Sequence, residues 1–176
     1  MELSSRELWT VVHGMILGAI FLLAFAGGVA ELLGLRSSYE TPLGELKSSR
    51  RLVEGTWVMA VVAWLTVITG TFFVYPWYRA KPVSGADLIH YPRSYLLANP
   101  KMAEWHNFGM EWKEHVAWLA PILATAVAYV TWRYRNKIAT DPVLRRGLIA
   151  LFSIAFFAAG VAGVFGAFIN KVAATR

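Results

Sequence analysis

Two histidines in apolar surroundings are the residues on which chemistry could turn. His13 stands inside a long greasy run. His115 stands at the mouth of another, closing the stretch Glu104-Trp-His-Asn-Phe-Gly-Met-Glu-Trp-Lys-Glu-His115. A neutral imidazole offers one ring lone pair, and two of them can grip one metal ion from opposite sides. The 176 residues include no cysteine. Thiolate ligation, iron–sulfur clusters and disulfides are therefore excluded. Histidine, methionine and carboxylate remain as ligands.

The elements that must position these residues are apolar. Hydrophobic residues make up 57% of the chain and charged ones 16%, against roughly 25% charge in a soluble domain. Lipid is the expected solvent. Ser4-Ser-Arg-Glu7 reads as a capping box, and the run Leu8 to Leu35 follows it with only His13 and Glu31 ionisable. Ala24-Phe-Ala26 resembles a signal-peptide cleavage site. The run is too long and its leader too weakly basic, with Arg6 against Glu2 and Glu7, so it is expected to persist as a span. Arg36 to Glu54 reads as a polar connection in which Thr41-Pro42 starts a short surface helix. A second run covers Thr56 to Tyr75 and stops at Pro76. Asn99-Pro100 is a helix start, and a helix from there runs through His115 to Arg135, kinked at Pro121. Thr140-Asp141-Pro142 caps the last run, Gly147 to Asn170. The expected fold is an all-α integral membrane protein. It is a four-transmembrane-helix bundle with an extended third helix, one domain over residues 1–176, and a long extramembrane connection at 76–114.

Basic residues lie in the connections. The segments 36–54 and 133–146 hold nine Lys and Arg in 33 residues, and the other side (1–7, 76–114 and 171–176) holds eight in 52. Charge placed this way sets topology and gives no reason to invoke nucleic acid. The denser pair is expected to be cytoplasmic. The termini and the 76–114 connection would then face the periplasmic or outer side of a cell (inner) membrane.

Depth ties the two histidines together. His13 lies about 8.5 residues from the centre of its run, or ~13 Å at 1.5 Å per residue. His115 lies about 9.5 residues from the centre of the span 115–134, or ~14 Å. Spans one and three run the same way, so the imidazoles are expected level, just inside one interface. Two such imidazoles on two helices are how a membrane b-type haem is held. Gly14-x-x-x-Gly18 would let a helix or a porphyrin face come close, and Ala159, Gly163 and Ala167 form a small stripe in span four, with Gly160 and Gly166 beside it. Glu111, one turn before His115, could fix its tautomer. Arg79 and Arg93, with Lys81 and Lys171, are the cations available to propionates on that side. His106, nine residues before His115, points the opposite way at roughly 900°. It is expected at the outer surface, as a third candidate ligand alone or with His90. A quinone pocket would be lined by residues such as Trp105, Trp112 and Tyr91. Glu31 reads as an interface carboxylate at the far end of span one.

With His13 in Val-Val-His-Gly-Met and His115 in Lys-Glu-His-Val-Ala-Trp on a four-span layout, the chain resembles the small four-helix membrane b-type cytochromes that serve redox complexes. The resemblance implies haem b, one or possibly two, electron exchange with quinone, and other subunits of a membrane redox complex as partners beside the lipid bilayer. It implies an electron-transfer subunit more than a self-contained enzyme. Two alternatives use the same features. Chlorophyll takes a single axial histidine beside small residues. A non-redox membrane anchor would use the aromatic outer connection for docking.

Overall fold

The computed structural model describes residues 4–35 and 42–173. The chain is all α, with no strand among the described residues. Four helices are long and apolar enough to cross a membrane: α1, Ser5–Gly34; α2, Lys47–Tyr78; α4, Trp105–Tyr134; and α5, Pro142–Val172. The short helix α3, Pro92–Ala98, lies in the connection between α2 and α4. This is a multi-pass membrane protein.

The helix starts follow from capping chemistry. Ser4 Oγ accepts from the Glu7 amide at 3.3 Å and the Glu7 carboxylate accepts from the Ser4 amide at 2.8 Å, the expected capping box. Ser4→Ala is expected to cost about 1 kcal/mol of α1 stability, read as a lowered unfolding midpoint in detergent. Asp141 Oδ1 accepts from the amides of Val143 and Leu144, each at 2.9 Å, and so starts α5 as expected. Pro42 does open a helix, although Thr41 lies outside the described residues. That helix is not a separate surface piece. It runs from Pro42 to Thr69 without a break. Pro76 does not stop α2 either. A π-helical turn, Gly70–Val74, precedes it, and α2 continues to Tyr78. The wider turn relaxes the ladder where proline lacks its donor. In α4 the effect of Pro121 appears one turn earlier, as the 3-10 segment Val116–Trp118. Asn99 ends α3, and its side chain accepts from the Lys101 amide at 3.0 Å to start the turn that leads into α4.

Packing divides the chain into two compact units. One consists of Ala19–Trp64 and Leu119–Ala158. Its core is aromatic and small: Phe152 is fully buried, 5.1 Å from the Phe25 ring, with Gly28 beneath it. Thr56 and Thr131 are buried with their hydroxyls 2.9 Å apart, and each also bonds a carbonyl of its own helix. Glu31 receives Ser48 Oγ and, at 2.7 Å, Arg51 Nε, so its charge is answered within this unit. Arg145 donates to the carbonyls of Leu35, Ile138 and Ala139.

The other unit consists of Met1–Gly18, Leu65–Trp118 and Ala159–Arg176, and all four histidines fall within it. Its apolar centre is Tyr78, Leu96, Met110 and Ile169, with Trp105 and Phe165 packed against them. Leu96 is fully buried, so α3 folds back on the helix ends instead of standing away from them. Three π-helical turns interrupt the helices of this unit: Val12–Ile16, Gly70–Val74 and Trp105–Met110. Such turns are rare and concentrate at functional sites.

Candidate functional site

His13 sits in the first of those π turns, and its ring lies on Gly70 in the second. A Cβ placed on Gly70 would come 2.7 Å from His13 Cε1 and 3.3 Å from each ring nitrogen. Only glycine lets the imidazole rest there. His13 Nδ1 is 3.3 Å from Thr69 Oγ1. The Thr69 hydroxyl has one proton, and it is directed to main-chain carbonyls, Leu65 O at 2.7 Å and Thr66 O at 3.1 Å. Thr69 therefore meets the histidine as an acceptor, which puts the ring proton on Nδ1 and leaves Nε2 with its lone pair. That is the tautomer a metal-binding imidazole needs. Trp9 and Phe73 stack at 4.1 Å one turn nearer the helix ends.

His115 is in the same chemical state and a different place. Its Nδ1 lies 3.0 Å from the Glu111 main-chain oxygen and 3.5 Å from the Glu111 carboxylate. Glu111 thus fixes the ring as expected, chiefly through its carbonyl. The side chain, however, is 71% exposed. His13 packs on α2, and His115 is exposed on α4.

His106 corrects the expectation of an outer-surface histidine, being only 5% exposed. Its Nδ1 is 2.9 Å from Tyr78 Oη, and Arg93 Nε donates to its Nε2 at 3.3 Å. Arginine can only donate, so Nε2 must accept, and Nδ1–H then faces the tyrosine oxygen. Both nitrogens are engaged, which leaves no lone pair for a metal in this arrangement. The half-turn opposition of His106 and His115 is present, but reversed: His106 faces in and His115 faces out. Helix α3 carries Arg93 over His106.

One sequence signal points to this orientation. Counting back from the buried small residues Thr131, Ala128, Ala124 and Ala120 by threes and fours leads through Met110 to His106. The row through Ile122, Leu119 and Trp118, all exposed, leads to His115.

The remaining candidates separate. Arg93 is committed to His106, and exposed Arg79 lies over the Tyr75 ring at 5.1 Å. His90 is exposed, in the short 3-10 turn Leu88–His90. A Cβ added at Gly14, Gly18, Gly160 or Gly163 would meet nothing within 4 Å, so no neighbouring helix comes close there; Gly166, beside the span-four stripe, and Gly70 do have close neighbours. Trp105 stacks on Phe168 at 5.3 Å, and Trp112 packs against Phe108 and Phe165.

Two residues in α4 matter that spacing alone does not single out. Lys113 lies across Gly166, whose Cβ would come 2.7 Å from Nζ, and its charge bears on His13. Glu114 Oε1 is buried without a hydrogen-bond partner, as is Trp112 Nε1. Buried polar atoms of this kind are normally satisfied. Among the described residues, no three His, Asp or Glu side chains gather as a metal cage. A metal that brings its own planar ligand needs only one or two protein donors.

No family model, curated protein or solved structure matches the chain.

Proposed function

We propose that the chain is a membrane b-type cytochrome that passes electrons through non-covalent haem held between α1 and α4. His13 carries the reading. It is a histidine within a membrane span, set on a glycine, with Nδ1 held by Thr69 in the tautomer that keeps the Nε2 lone pair, and such residues are functional by default. His115 is the proposed second ligand. Its tautomer suits the role, and its exposed position makes it the weaker of the two. The orphaned Trp112 Nε1 and Glu114 Oε1 favour a unit that accommodates a ligand. His106 serves a positioning role, holding Tyr78 and Arg93 together.

Bound haem would supply a reversible one-electron couple. The chain's own contribution would be the ligand field of the imidazoles and, at His13, exclusion of water by the neighbouring Trp9–Phe73 stack. Quinone or another subunit of a redox complex is the proposed electron partner. The termini and the 76–114 connection are proposed to face the outer side of the inner membrane, on the basic-residue balance given above.

The test is a reduced-minus-oxidised spectrum of the purified protein with a haem-to-protein ratio. A reduced-haem α band and at least one haem per chain are expected. A colourless protein isolated from haem-replete cells would sink the proposal, and bound pigment absorbing in the red would replace it with the chlorophyll reading.

A further inference from the structure

Lys113 poses a physical problem that the proposed ligation does not use. Its side chain is directed inward across Gly166, with its charge close enough to His13 to act on the imidazole. Among the described residues, no carboxylate forms an ion pair with it. Glu31, by contrast, is paired with Arg51 and hydrogen-bonded by Ser48. An ammonium drawn into a helix cluster without a counter-ion costs several kcal/mol in general, and chains keep one where an anion comes to it.

Gly166 makes the placement specific. With any larger residue there, Nζ would be pushed aside, as Gly70 with a side chain would push His13 aside. The two glycines on α2 and α5 thus seat two nitrogen groups of one unit, one a metal-type donor and the other a cation.

We infer that Lys113 receives the anionic end of the ligand held at His13. The ligand class is a flat apolar body bearing a carboxylate, which for haem means a propionate. This rests on the haem reading above, and it transfers the propionate role from Arg79 and Arg93, whose guanidinium groups are engaged elsewhere. The shared chemistry is a carboxylate on an apolar body, and a fatty acid would also supply it.

The experiment compares haem with its dimethyl ester, which keeps the iron and ring and loses both carboxylates. Apoprotein in detergent is titrated with each, followed by the Soret band. The wild type should bind haem about tenfold or more tighter than the ester, in line with one charge-assisted contact. Lys113→Met should lose that preference while binding the ester as well as wild type does, which also shows that the variant is folded. Lys113→Arg should restore much of the preference. Gly166→Ala, which leaves the lysine in place and displaces its ammonium, should reduce it. Equal affinity of the wild type for haem and ester, or an unchanged preference in Lys113→Met, would overturn the inference while leaving haem binding intact. A wild type that binds neither compound would remove the haem reading itself. Competition of oleate with haem in the wild type but not in Lys113→Met would assign the carboxylate site to a fatty acid and overturn the propionate assignment.

Discussion

His13→Ala is expected to abolish haem binding, with haem-to-protein ratio falling at least tenfold and the reduced-minus-oxidised signal lost with it. The reasons are local. The ring rests on Gly70, and its Nδ1 is tied to Thr69 in the tautomer that keeps the Nε2 lone pair. Alanine removes the donor and leaves a space against Gly70 that no neighbour is placed to fill. The other histidines separate the alternatives. His115→Ala should retain haem with weakened or altered ligation, seen as a shift from a low-spin to a high-spin spectrum. His106→Ala should keep its haem and lose stability, by about 1–3 kcal/mol, because Tyr78 and the inner end of Arg93 lose their partner inside the protein. A His13→Ala protein with full haem, beside a His106→Ala protein without it, would reverse the assignment.

Phe152→Ala is expected to destabilise the protein by about 3–5 kcal/mol, the range for emptying a buried aromatic site. Phe152 is fully buried, tilted against Phe25 and seated on Gly28, whose Cβ would lie 2.6 Å from Phe152 Cε1. Phe156, half-buried and 4.0 Å from the Phe25 ring, should matter less. Gly28→Ala should be poorly tolerated alone and better tolerated in the Phe152→Ala background, because the second change removes the atoms that the new methyl would strike. Denaturant titration in mixed micelles measures both effects. Additive losses would show that the glycine and the ring do not meet.

The spans and their starts are legible in the sequence because they depend on local rules. Hydrophobic length, the Ser4–Glu7 box and the Asp141 cap act within one turn, and each appears where it is expected. The polar connection before α2 misleads for a related reason: Pro42 favours a helix start, and nothing after it stops the helix before Thr69. The candidate site is less legible. A helical wheel drawn on a straight α-helix cannot anticipate a π turn at Trp105–Met110 or a 3-10 turn at Val116–Trp118, and both lie beside the residues whose facing is at issue. Nor does spacing reveal that Arg93, thirteen residues away, folds back to occupy His106. Depth along a span is a sum of residue rises and can be counted. Facing is a sum of angles, and one irregular turn changes it.

The π turns also bear on how this chain tolerates changes in length. A π turn accommodates one residue more than α pitch requires, so each of the three is a single-residue insertion absorbed in place. In α1 that surplus residue falls within Val12–Ile16, the turn that holds His13 against Gly70. Deleting any one residue there would restore regular pitch and swing the imidazole by about 100° relative to the helix beyond it. For an ordinary span, a deletion is the disruptive event. Here the insertion is what aims the ligand, and the shorter, more regular helix would be the defective one.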